Sequence, residues 1–139
     1  MSNRLEDLHP LFQPIAKAIL QETQAEFDEH YPGSTIRAAD TFRLMTAQAA
    51  AVAAGLSRVA IGWHQFGLAV DGSVITREGA YVKDGADPRY RLFGLAAIRH
   101  GCIWGGTWTH PDWDHIEWHP GFTLQQYTSW LDAHKVGAA

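Results

Sequence analysis

The chain has 139 residues, 46% hydrophobic and 19% charged, with a net charge of −4 and a pI near 6.0. That length suits one globular domain over residues 1–139, with one core and one site. The composition excludes a disordered chain, and the lack of any Lys/Arg run excludes the basic face of a nucleic-acid binder.

Leu5, Leu8, Phe12, Ile15 and Ile19 recur every three or four residues, an amphipathic helical stripe that Pro10 and Pro14 interrupt early. The pattern fades through Glu26–His30 and stops at Tyr31-Pro32-Gly33. Thr35–Phe42 reads as extended. Thr46–Leu56 is alanine-rich, with Thr46 as N-cap and Gly55 near its end, and predicts a helix able to pack close to a sheet. Phe66–Val70 predicts a strand entering a turn at Asp71-Gly72, after which Val74–Ile75 resumes an extended course. Asp84–Asp87 is a loop, and Asp87-Pro88 opens a helix that runs to about His100 and stops at Gly101. Cys102–Trp108 and Asp114–His119 read as extended. Thr123–Gln126 has the form of a capping box before a last helix with Leu124, Tyr127, Trp130 and Leu131 inward. With no repeats and no linker, the order predicts a single α+β domain.

Two absences add to this. No stretch of about 18 apolar residues can span a membrane, and MSNRLEDLHP lacks the basic and apolar regions of a secretory signal, which predicts a cytoplasmic protein. The single cysteine, Cys102, excludes an internal disulfide and structural zinc sites built on several cysteines; it reads as a small buried hydrophobe. Trp104, Trp108, Trp113 and Trp118 fall within fifteen residues, which points to a rigid, half-exposed surface near a site.

Chemistry concentrates in two segments. In Gly62-Trp-His-Gln-Phe-Gly-Leu-Ala-Val-Asp71, His64 and Asp71 are seven residues apart, so on an unbroken strand they face opposite sides. They converge only if His64 lies in a loop before the strand, and Gly67 offers the backbone freedom for it. In Asp112-Trp-Asp-His-Ile-Glu-Trp-His119, His115, Glu117 and His119 share one face of a strand. The helical His-Glu-x-x-His zinc motif fails here, because Ile116 stands where its Glu is needed.

Taken alone, His64 is more often an ordinary polar residue than a ligand, but His64, Asp71 and His115 together form a suitable catalytic zinc set, three ligands that leave a fourth position open. Asp112, three residues before His115, is the candidate general base. Arg43 is the candidate cation for a developing oxyanion. Glu117 is either a partner that orients His115 or one half of a surface ion pair. His119, with Trp63 and Gln65 beside His64, is a candidate substrate contact, although a structural role is the more common one for a histidine in His119's setting. Asp114 reads as a solvated turn residue, and His9, His30, His100, His110 and His134 as ordinary polar residues.

Thr41-Phe-Arg43, His64-Gln-Phe-Gly67-Leu-Ala69-Val-Asp71 and Asp112-Trp-Asp-His115-Ile-Glu-Trp118 resemble, in order and spacing, the family of D-alanyl-D-alanine carboxypeptidases and L-alanyl-D-glutamate peptidases, which includes many phage endolysins. The resemblance spans roughly residues 35 to 120. It implies a small antiparallel sheet with flanking helices, of the hedgehog and DD-peptidase kind. It also implies zinc on His64, Asp71 and His115, Asp112 as the base, Arg43 against the substrate carbonyl, and Gln48 on a helix after that arginine. Phe42 replaces the family's tyrosine, and Gly62 stands where members usually carry a serine two residues before the first histidine.

The function implied is zinc-dependent hydrolysis of peptidoglycan stem peptides by a monomeric phage-type endolysin, held in the cytoplasm and reaching the wall on lysis. No basic residue adjoins the motifs apart from Arg43, which favours an L-alanyl-D-glutamate endopeptidase over a D-Ala-D-Ala carboxypeptidase or dipeptidase. A non-catalytic zinc-containing binding module has no need of Asp112 and Arg43 together.

Overall fold

The structure is a computed structural model and describes residues 2–44 and 62–134. The helix expected over Thr46–Leu56, with Gln48, lies outside the described residues. No helix among those described is long and apolar enough to cross a membrane.

Helix α1 (Gln13–His30) carries Pro14 in its first turn, where the missing N–H has no helical partner to lose. It runs to His30 instead of fading at Glu26, because its buried face is Ala16, Ile19, Thr23 and Phe27, a stripe that continues past the obvious apolar residues. Thr23 can be buried because its hydroxyl donates to the Ile19 carbonyl at 2.8 Å. Upstream, Leu8 and Phe12 enter the core from outside the helix.

Strands β1 (Thr35–Asp40), β2 (Ala69–Ile75), β3 (Ile103–Trp104) and β4 (His115–Glu117) form one antiparallel sheet in the order β1-β2-β4-β3. Strand β2 passes straight through Asp71-Gly72, where a turn was expected. Gly72 serves close packing, since a Cβ there would come 3.0 Å from the Phe93 ring and 3.2 Å from Ile36. Side chains alternate along a strand, so Val70 and Val74 enter the core with Ile36 and Ile116, while Asp71, His115 and Glu117 take the opposite face.

One irregularity changes which residues reach that face. Ile36 and Ala38 pair with Val74 and Gly72 and pack into or against the core, so simple alternation would send Asp40 there as well. A bulge between Ala38 and Asp40 sets Asp40 opposite Asp71 instead. An extra residue in one strand re-aims the side chains beyond it.

Helix α2 (Pro88–Arg99) starts as expected: Asp87 accepts the Arg89 backbone N–H at 3.0 Å, and Pro88 follows. It ends before Gly101, whose φ of +79° suits glycine. Tyr90, Phe93, Ala96 and Ala97 bury against α1 and the sheet. Gly94 lies against the Trp104 ring, where a Cβ would come within 2.0 Å of it. Beyond Trp104 the chain leaves the extended course expected to Trp108 and makes a 3₁₀ turn over Gly105–Thr107.

Helix α3 (Leu124–His134) opens with the reciprocal capping box, Thr123 N–H to Gln126 Oε1 at 2.8 Å and Gln126 N–H to Thr123 Oγ1 at 3.2 Å. Tyr127, Trp130 and Leu131 are half-buried, whereas Leu124 is 82% exposed, contrary to its expected inward position. The described residues thus form an α+β fold, helices against one four-stranded antiparallel sheet. The face of that sheet away from the core carries the acidic and histidine side chains.

Candidate metal centre

His64 sits in a 3₁₀ turn, Trp63–Phe66, immediately before β2. Gly67 closes this turn with φ +67°, and a Cβ there would strike the His9 backbone nitrogen at 2.6 Å and Trp130 at 2.8 Å. This left-handed step reverses His64 onto the face of Asp71, which resolves the odd spacing between them. Gln65 is 1% exposed, and its Oε1 accepts the Gly62 N–H. The Gln65 carbonyl accepts the Trp130 indole N–H at 2.7 Å, which ties the turn to α3.

One ligand atom each from His64, Asp71 and His115 lie within 4.8 Å of one another. His115 pairs with Asp71 across β2 and β4, and its Nδ1 is 2.8 Å from Asp71 Oδ1. His64 Nε2 is 3.3 Å from the same oxygen. Each imidazole is held by its far nitrogen. His64 Nδ1 donates to the Thr41 carbonyl at 2.9 Å, and His115 Nε2 lies 2.8 Å from Glu117 Oε1. Those bonds fix the tautomers, leaving the near nitrogens as lone pairs aimed at a carboxylate.

Such an arrangement needs a cation. His64 Nε2 is buried and has no hydrogen-bond partner among the described residues, a cost unless a donor or a cation meets it. Two imidazole nitrogens and a carboxylate oxygen, buried and oriented from behind, fit zinc. Electrostatics agree. Burial opposes ionisation of Asp71, but its hydrogen bond with His115 and the nearby imidazole of His64 hold its carboxyl well below the usual carboxylate range. Burial would lower the His115 pKa, yet hydrogen bonds to Asp71 and Glu117 raise it to about 10.

Glu117 bridges outward as well as inward. Its Oε2 meets His119 Nε2, and the His119 ring stacks on Trp63 with centroids 3.9 Å apart. Burial opposes ionisation of Glu117, but its bonds to His115 and His119 keep its pKa low. Glu117 therefore contacts His115, the first of its two sequence readings. The structure also brings Trp63 and the exposed His119 together beside the candidate ligands.

Arg43 reaches the site through its backbone, its N–H donating to the His64 carbonyl at 3.2 Å. Its guanidinium donates to Asp40 Oδ2 at 2.6 Å, both side chains being nearly buried. Burial raises the Asp40 pKa despite that partner. Asp40 escaped the sequence reading, because only the bulge brings it to this face.

Asp112 is exposed, and its carbonyl accepts the His115 N–H at 3.2 Å. Asp114 lies in a turn, as expected, but is half-buried instead of solvated, and its carbonyl accepts the Gly72 N–H at 2.7 Å. Burial, then a hydrogen bond with Asp112 and the charge of Asp71, push its carboxyl up to about 8. Asp112 and Asp114 share a cavity of about 180 Å³ with Tyr81, Lys83 and Trp113. Lys83 is a cation that sequence distance concealed.

Residues 56–118 match the family model described as D-alanyl-D-alanine carboxypeptidase. No curated protein matches the chain. Among solved structures, the chain is similar to the L-Ala D-Glu endopeptidase ChiX of Serratia marcescens, with a TM-score of 0.61 and 23% identity over 88% of this chain and 86% of that one. Residues 56–118 are thus similar to the D-alanyl-D-alanine carboxypeptidase family model, and the fold is one that an L-Ala D-Glu endopeptidase shares.

Proposed function

We propose that this single-domain protein is a zinc-dependent peptidase acting on peptidoglycan stem peptides, cutting between L-Ala and D-Glu as a monomeric phage-type endolysin. One observation carries the metal reading: His64 and His115 are each held by the far ring nitrogen while their near nitrogens converge on Asp71, with His64 Nε2 buried and without a hydrogen-bond partner among the described residues. The family match and the endopeptidase-like fold support the substrate class.

When bound, zinc supplies Lewis-acid polarisation of the scissile carbonyl and activation of water. The chain's own residues do the rest. Asp112 takes the proton of the attacking water on its carboxylate and passes it to the leaving amine. Arg43, clamped by Asp40, places positive charge beside the oxyanion that forms as the carbonyl becomes tetrahedral. Glu117 holds the His115 ring in register through Nε2. Trp63 and His119 present a stacked surface to the peptide, while Gln65 keeps the His64 turn in shape.

A D-Ala-D-Ala carboxypeptidase is favoured by one observation, Lys83 beside Asp112, since a terminal carboxylate needs a cation. Synthetic stem peptides with and without terminal D-Ala, analysed by mass spectrometry, separate the two. Cleavage after L-Ala supports the endopeptidase, release of D-Ala supports the carboxypeptidase, and no cleavage of either peptide overturns both. Lysis of purified cell walls tests the endolysin role.

A further inference from the structure

The four clustered tryptophans have different fates. Trp104 is 7% exposed, and its indole N–H donates to the Trp113 carbonyl at 2.7 Å. Trp113 packs against Trp104, and Trp118 stacks on Phe12 with centroids 5.8 Å apart. Trp108 is 38% exposed, yet its ring centroid lies 5.4 Å from that of His115, tilted by 46°. Its indole N–H has no hydrogen-bond partner among the described residues. A half-exposed ring packed against His115 is placed to touch whatever binds there.

The loop that holds Trp108 is specified closely. A Cβ on Gly105 would come 2.4 Å from the Asp112 carbonyl, and one on Gly106 would come 2.3 Å from the Trp104 ring. Only glycine lets the chain pass at both points. The turn is fastened by Asp112 N–H to the Gly105 carbonyl at 2.9 Å, Trp108 N–H to the same carbonyl at 3.2 Å, and Thr107 Oγ1 to the Trp104 carbonyl at 2.9 Å. One short unit therefore sets both the candidate base and the exposed ring beside His115.

We propose that Trp108 is a substrate-positioning residue, a wall of the cleft against which the peptide backbone and a small aliphatic side chain next to the scissile bond lie. This rests on the peptidase reading above. The indole adds a donor for a substrate carbonyl, and the flat ring suits an alanine methyl group better than a carboxylate.

The test uses the full chain loaded with zinc and a synthetic stem tetrapeptide. Trp108→Ala should raise KM by about tenfold, the scale of a lost aromatic contact, and change kcat less than KM. Its zinc content should be that of the parent protein, and Trp108→Phe should recover most of the loss. The Trp108 indole N–H resonance should shift when the peptide is added. A KM within about twofold of the parent overturns the proposal, as does a loss explained entirely by lost zinc, which would mean the ring only supports His115. If the parent protein neither binds nor cleaves the peptide, the peptidase reading itself falls, and this assignment falls with it.

Discussion

His115 stands directly across from Asp71 in the pairing of β4 with β2, and its Nδ1 is 2.8 Å from that carboxylate while its Nε2 is 2.8 Å from Glu117. The ring is gripped from both sides, so its orientation toward the metal position is set before any metal arrives. Removing the outer grip should loosen the inner one. Glu117→Gln, which keeps the shape but loses the charge, should weaken zinc affinity by about 10- to 100-fold. Competition with a chromogenic chelator measures this; unchanged affinity would mean that Glu117 only fills space.

Asp112→Asn separates catalysis from metal binding. Zinc content should remain that of the parent, while kcat should fall by at least about 10²-fold, the usual contribution of a positioned general base. Asp114 shares a hydrogen bond with Asp112, so Asp114→Asn is the control. If that substitution abolishes turnover and Asp112→Asn does not, the base is Asp114.

The Asp40–Arg43 pair makes a prediction about both stability and rate. Asp40→Ala leaves a nearly buried guanidinium without its 2.6 Å carboxylate partner. Breaking a buried pair from one side costs about 3–5 kcal/mol, and denaturant unfolding should show a loss on that scale. Among molecules still folded, kcat should fall more than KM rises, because Arg43 acts on charge that develops in the transition state.

Much of this was legible from spacing alone. The caps at Asp87 and Thr123 and the stop at Gly101 are local chemistry, and local chemistry is written in adjacent residues. The convergence of His64 with Asp71 was also readable, because seven residues demand a reversal and Gly67 permits one. Asp71-Gly72 misled for the same reason that Gly67 informed: glycine marks either a turn or a close approach, and only the Phe93 ring above Gly72 decides which. Asp40 was hidden by a bulge that alternation does not anticipate. Lys83 and Asp112 are brought together by tertiary packing, which no local pattern encodes.

The Asp87 cap gives a pH prediction. Hydrogen bonds from Arg89, together with its charge, hold the Asp87 carboxyl below its ordinary value of 3.8. A carboxyl with a lowered folded pKa stabilises the protein fully above its unfolded pKa, and loses that contribution as pH falls through the folded value. Asp87→Asn keeps the cap but removes the charge. It should cost about 0.5–1 kcal/mol at neutral pH and progressively less as pH falls through the folded value, measured by urea unfolding at neutral and at acid pH. An equal cost at both would show that the charge contributes nothing.

The central claim is that His64, Asp71 and His115 hold one catalytic zinc ion, and the most direct measurement is metal content together with cleavage of purified peptidoglycan, before and after chelation. About one zinc per chain is expected, with cleavage lost on chelation and restored by added zinc, and with both lost in His64→Ala. Cleavage that survives complete removal of the metal, or a purified chain that takes up no zinc at all, would contradict it.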